Sequence, residues 1–158
     1  MPDNPTTPLV RNAAPIQTST IWGSNRFTVT TPNVWVDLPN ATIPQQVGQG
    51  SPSFGAMFVA IFSAESLVKT QGDNGVCFLD ITFGGQDPHP IDSNHRFDSS
   101  IDMGSEWRSV TTTRIMEFPP TIPLVNATAQ VRLMYKGGGG SLVECGLQNW
   151  VLTLFRYA

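Results

Sequence analysis

Charge is what this chain has least of. Lys and Arg number 9 and Asp and Glu 12, so charged residues make up 13% of 158, against roughly 25% in ordinary soluble domains. With a net charge of −3 there is no electrostatic footprint for nucleic acid, which is not an expected partner. Surfaces this poor in charge suit a protein packed against others. Transmembrane-length apolar runs are missing too, so membrane insertion is not expected. Residues 1–20 hold four prolines and no continuous apolar core, so no signal peptide is read there, and export would need another route. Cysteine is nearly absent. Cys77 and Cys145 could form a disulfide in an oxidising compartment, but two thiols define no framework, and the reading favours two small buried apolar residues.

What is abundant points to strands and turns. Gly and Pro number 14 and 13, Thr and Ser are frequent, and helix-favouring residues are few. The longest nearly uncharged apolar run is Ser53 to Glu65, SFGAMFVAIFSAE. Read with period two, Ala56, Phe58, Ala60, Phe62 and Ala64 share one face and Met57, Val59 and Ile61 the other. Strands that face water alternate apolar with polar, so this pattern predicts a central strand covered on both sides. Leu147 to Tyr157 repeats the signature, with Trp150, Leu152 and Leu154 opposite Val151 and Phe155.

Between these, the chain offers Ile21-Trp22, Arg26–Thr31 and Val34–Leu38, the last closed by Pro39-Asn40. Val76–Phe83, Arg96–Ser99, Trp107–Phe118 and Ala127–Lys136 follow. About eight antiparallel strands at this spacing predict an all-β jelly-roll sandwich over residues 20–158. Such a fold can set its first, middle and last strands side by side. Residues 1–19 read as an extended Pro-rich arm that needs a surface to lie on; Pro5, Pro8, Leu9 and Val10 are its candidate anchors. One outer face of the sheet would then be apolar and need a cover, with Met57, Val59, Ile61, Trp150, Leu152 and Leu154 as the expected oligomer interface.

Chemistry is thin. The loop from Asp87 to His95 gathers His89, His95, Asp87 and Asp92, types that bind zinc or manganese, but at no recognisable metal spacing; they read as solvated loop residues, and no metal or other cofactor is expected. No nucleophile elbow surrounds any serine, Gly137–Gly140 lacks the ending of a phosphate loop, and nothing singles out Asp98, Asp102 or Glu106 as a glycosidase pair. No catalytic residue is expected. Trp22 and Trp107, near strand ends, are candidates for stacking on a sugar ring, against a reading as core or rim residues. Asn40-Ala-Thr42 and Asn126-Ala-Thr128 are read as chance glycosylation matches.

The order Phe62-Ser-Ala-Glu65, Cys77 to Ile81, Phe97-Asp-Ser99, Trp107-Arg-Ser109, Val131 to Tyr135 and Asn149-Trp-Val-Leu-Thr153 resembles uncharacterised bacterial and phage β-sandwich sequences. That family often carries a cysteine just after its FSAE, able to pair with the strand cysteine; here Ser66-Leu67 stands in that place. The strand plan is also similar to the trimeric jelly rolls of the tumour-necrosis-factor and complement-head type, which associate through an apolar sheet face. The resemblance implies a homotrimer. The expectation is therefore a non-enzymatic structural or adhesive module on a virion surface, such as a capsid decoration or tail-attached protein docked on a capsid or tail partner. The alternative is an extracellular carbohydrate-binding module that takes a surface glycan.

Overall fold

The computed structural model describes residues 14–51, 55–70, 75–89, 96–100, 107–120, 123–136 and 143–158. Among these there is no helix. Eleven strands occur: β1 (Gln17–Gly23), β2 (Phe27–Val29), β3 (Val36–Ile43), β4 (Gln46–Val47), β5 (Ala56–Thr70), β6 (Gly75–Phe83), β7 (Arg96–Ser100), β8 (Arg108–Phe118), β9 (Val125–Asn126), β10 (Ala129–Lys136) and β11 (Val143–Tyr157).

One sheet runs β1-β11-β5-β8, with β2 also on β11; the second runs β3-β10-β6-β7; β4 and β9 form a small ladder. All these strand pairs are antiparallel. Set aside the two- and three-residue strands β2, β4 and β9, and eight strands remain. Renumbered in chain order, their sheets read 1-8-3-6 and 2-7-4-5, which is the strand order of a jelly roll. The first, middle and last strands lie together, as the apolar patterns required.

The core lies between the sheets. Phe58, Phe62, Leu152 and Leu154 face it from the first sheet, and Leu79, Ile81, Phe83 and Leu133 from the second. Full burial of each such side chain contributes roughly 1.5–3 kcal/mol. Phe58 stacks on Phe83 with centroids 5.9 Å apart and meets Phe118 edge-on at 5.8 Å. Cys77 on β6 and Cys145 on β11 are bonded to each other across the two sheets, which corrects the expectation of two free thiols. Their periodic, inward positions made them read as apolar filler; facing across the core, with Cα atoms 5.9 Å apart, they lie within bonding reach.

Three further boundaries differ from expectation. β3 runs through Pro39-Asn40 to Ile43 instead of stopping there. The pairing with β10 slips between Gln130↔Thr42 and Arg132↔Asp37, so the turn-like dipeptide is a bulge, with Asn40 at φ 65°. Gln130 holds that bulge: its Nε2 donates to Leu38 O at 3.2 Å, and Thr42 Oγ1 donates to its Oε1. β5 continues past Glu65 to Thr70, and β1 begins at Gln17, inside the stretch read as arm. The anchors Pro5, Pro8, Leu9 and Val10 lie outside the described residues.

Candidate functional site: the outer face of the first sheet

The bulge in β11 decides which residues face out. Before it, Cys145 and Leu147 point into the core; after it, Trp150, Leu152 and Leu154 do. The register jumps from Gln148↔Glu65 to Val151↔Ser63, and Asn149 takes φ 49°. One extra residue therefore reverses the inward set, as a period of two demands. Glu65 holds the bulge with one carboxylate oxygen, accepting from Gln148 Nε2 at 2.9 Å and Asn149 Nδ2 at 2.8 Å. Those two donors hold the Glu65 carboxyl below its usual range.

Trp150, Leu152 and Leu154 are thus 0–4% exposed inside the domain and cannot form an outer interface. The error is physical: antiparallel register sets Leu152 beside Phe62 and Leu154 beside Ala60, so they share the face of the even-numbered residues of β5. Trp150 stacks on Phe62 at 6.3 Å, and Gly23 makes room for it, since a Cβ there would lie 2.7 Å from the Trp150 ring.

Val59 and Ile61 do point outward and are half-buried, while Met57, on the same side, is buried. Their neighbours follow from the register. Three cross-strand rows run β1-β11-β5-β8: Trp22, Val151, Ser63, Thr111; then Thr20, Thr153, Ile61, Thr113; then Thr18, Phe155, Val59, Ile115. None carries a charge. Half are large apolar residues and half are hydroxyl residues, and the hydroxyls pair laterally: Thr20 with Thr153 at 3.2 Å and Ser63 with Thr111 at 2.9 Å. Covering a face on which four of the six hydroxyls already bond in pairs lowers the usual penalty for burying Thr and Ser.

Trp22 lies on this face and is 75% exposed; Val151 is 40% exposed. Trp107 stands over the far end. Its ring lies 3.5 Å from where a Gly146 Cβ would be, on the outward side of β11, under the Arg26 guanidinium at 5.3 Å. Arg26 pairs in turn with Glu144. The two tryptophans read as sugar platforms thus belong to the surface read as an oligomer interface, and the two functions compete for it. Sequence reasoning missed Val151, Phe155 and Ile115 as members of this face because assigning them needs the bulge and the register.

The acid–histidine loop takes another role. Asp87 pairs with Arg132 at 2.7 Å, and His89 exchanges backbone hydrogen bonds with Ile115 at 2.7 and 2.9 Å, tying the loop to β8. Residues 90–95 lie outside the described set. Among the described residues no three His, Cys, Asp or Glu side chains converge on a metal position. Among the described residues no helix is long and apolar enough to cross a membrane.

No family model and no curated protein matches the chain. Among solved structures, an Eiger TNF from S. frugiperda is 11% identical with TM-score 0.44, over 91% of this chain and 94% of that one. The VP2 protein of infectious bursal disease virus, a D431N mutant in T=1 particles, is 10% identical with TM-score 0.45. It matches over 96% of this chain, which spans only 39% of that protein. The fold assignment rests on strand order and register.

Proposed function

We propose that this protein is a non-enzymatic structural module that self-associates as a trimer through the outer face of its β1-β11-β5-β8 sheet. The observation that carries the reading is the charge-free block of three rows on that face, with four of its six hydroxyls paired. Monomers rarely leave so broad an apolar surface to water. In this reading the protein is a virion component, a capsid decoration or tail-attached protein, and residues 1–13 hold it to a capsid or tail partner. The Cys77–Cys145 bond fits an oxidising setting such as a virion surface.

Ile61 sits in the middle row beside Thr153 and Thr113. Ile61→Lys and Val59→Lys should convert the assembly to a monomer of 17.2 kDa in light scattering while the far-ultraviolet spectrum stays that of a β protein. A wild-type chain that is monomeric at every accessible concentration would overturn the reading. In that case Trp22 and Trp107 stand free, and a glycan array with Trp22→Ala becomes the deciding experiment. Anchoring is tested by a truncation that stops before Ile16, whose N–H donates to Arg156 O at 2.8 Å, so that the sheet stays whole. Equal docking of truncated and full chains on the shell would remove the arm from the account.

A further inference from the structure

The Cys77–Cys145 bond is sealed from solvent, with Cys145 0% and Cys77 2% exposed. In the first sheet Cys145 stands in register between Val68 of β5 and Val29 of β2. In the second sheet Cys77 stands between Tyr135 of β10 and Asp98 of β7. Residues 27–33 cross from one sheet to the other over this point. They begin as β2 on β11; then Pro32 bridges Tyr135, and the Asn33 N–H donates to Tyr135 O at 2.9 Å. Val29, Val68 and Tyr135 are buried, while Thr28, Thr30, Thr31, Pro32 and Asn33 are exposed. The segment is a strap across the edge of the sandwich, dry beneath and wet above.

The strap is lightly held. β2 contributes three register positions to β11, whereas β5 follows β11 along most of its length. Its first end is fastened at the surface: Arg26 pairs with Glu144 and lies over the Trp107 ring at 5.3 Å, and Thr28 Oγ1 donates to Glu144 Oε1 at 3.5 Å. Its other end turns at Asn33, whose φ of 58° suits Asn and Gly far better than residues such as Ala. Short, exposed segments with few buried side chains open at lower free energy than the whole domain.

We infer that residues 27–33 gate the disulfide: the bond exchanges with solvent thiols only while this strap is lifted, and lifting it leaves the two sheets joined. Reduction needs a thiolate to reach one sulfur. A dithiol supplies it, forms a mixed disulfide and releases the other cysteine as a thiolate; its second thiol then closes on the first and frees the remaining cysteine. Two electrons pass from the dithiol to the bond, and re-formation by a disulfide oxidant runs the same exchange backwards. The redox state of the pair is thus set by how often the strap opens as well as by the compartment. The inference stands apart from self-association, since the strap lies outside the three rows.

The test is the rate at which the full chain is reduced by excess dithiothreitol in native buffer. Samples are quenched with iodoacetamide at intervals and weighed by mass spectrometry for the gain of two alkyl groups. The native chain should be reduced far more slowly than the same chain in urea. Arg26→Ala, which frees the first end, and Asn33→Ala, which strains the turn at the second, should each speed native reduction about threefold to tenfold. Asn33→Gly accepts the same backbone conformation and should stay near the native rate. Phe118→Leu removes a buried ring at the far end of β5, where Phe118 pairs with Ala56; it should lower stability in urea and leave the reduction rate unchanged. If Phe118→Leu speeds reduction in proportion to its loss of stability, the bond opens by global unfolding and the gate is overturned. Unchanged rates in both Arg26→Ala and Asn33→Ala would place the route elsewhere, as at β7, and overturn it equally. A native chain reduced as fast as the unfolded one would show that no gate exists.

Discussion

The two sheets share a core but differ in what their outer faces carry. On the β3-β10-β6-β7 sheet the outward side is charged and closed by its own partners. Arg132 lies between Asp37 and Asp80 in register, donates to Asp80 Oδ2 at 2.8 Å and to Asp87 Oδ1 at 2.7 Å, and rests on the Trp35 ring at 4.7 Å. Lys136 lies over Phe78 at 5.4 Å. Arg114 reaches Asp80 from β8 at 3.6 Å. On the β1-β11-β5-β8 sheet the three central rows hold no charge, and no ion pair or ring contact among the described residues closes them. One surface is finished by intramolecular contacts; the other has the composition of a surface that another molecule finishes.

The largest effect should come from cutting what joins the sheets. The Cys77–Cys145 bond spans 68 residues, and in the chain-entropy account closing such a loop is worth about 4 kcal/mol. Cys77→Ala with Cys145→Ala should lower the unfolding free energy from denaturant titration by about that amount, with both faces lost in one transition. Two separate transitions would mean that the sheets fold independently. Next in size is Asp80→Ala, about 3 kcal/mol, because removing one partner of a buried ion pair leaves a cation without compensation. Asp80 is 3% exposed, and its loss removes the carboxylate that Arg114 reaches and one of the two that Arg132 pairs with, Asp87 remaining to Arg132. By contrast, Thr113→Ser on the open face should change domain stability by under about 0.5 kcal/mol. If Asp80→Ala proves as mild as Thr113→Ser in urea denaturation, the charged face is not closed by its ion pairs.

How much of this was legible depended on whether a residue's role is local or relational. Alternation in Ala127–Lys136 and Val76–Phe83 gave β10 and β6 and their inward sets directly, because a period of two is a local signal. The apolar double pattern of β5 and β11 put them in the middle of a sheet, where they are. What stayed hidden needed two strands at once. The outward set of β11 turns on a bulge at Asn149 whose hydrogen-bond acceptor, Glu65, lies 84 residues away, and no window of sequence contains both. The same holds for Asp80. In VCFLDITF it reads as an isolated polar residue in an apolar strand, and its partners come from β8 and β10.

The smallest expected effect is also the most specific, and it concerns the seam between the charge-free rows and the charged end of the same sheet. Glu65 is the acceptor that fixes the bulge, and hydrogen bonds from Gln148 and Asn149 lower its pKa from the usual 4.5. The sign follows from linkage: a carboxyl held lower in the folded than in the unfolded state contributes stability that is fully present above about pH 4.5 and is lost as the pH falls through the folded value. The native chain should therefore lose a small part of its stability below that pH, and Glu65→Gln, which cannot ionise, should lose the same part at neutral pH and show a flatter acid limb. Because the bulge sets Val151 outward and Trp150 inward, the change should be visible as a shift in tryptophan emission before global unfolding. Parallel acid limbs for Glu65→Gln and the native chain would show that the carboxylate does not hold the register, and the division between inward and outward residues of β11 would have to rest on the packing of Trp150 against Phe62 alone.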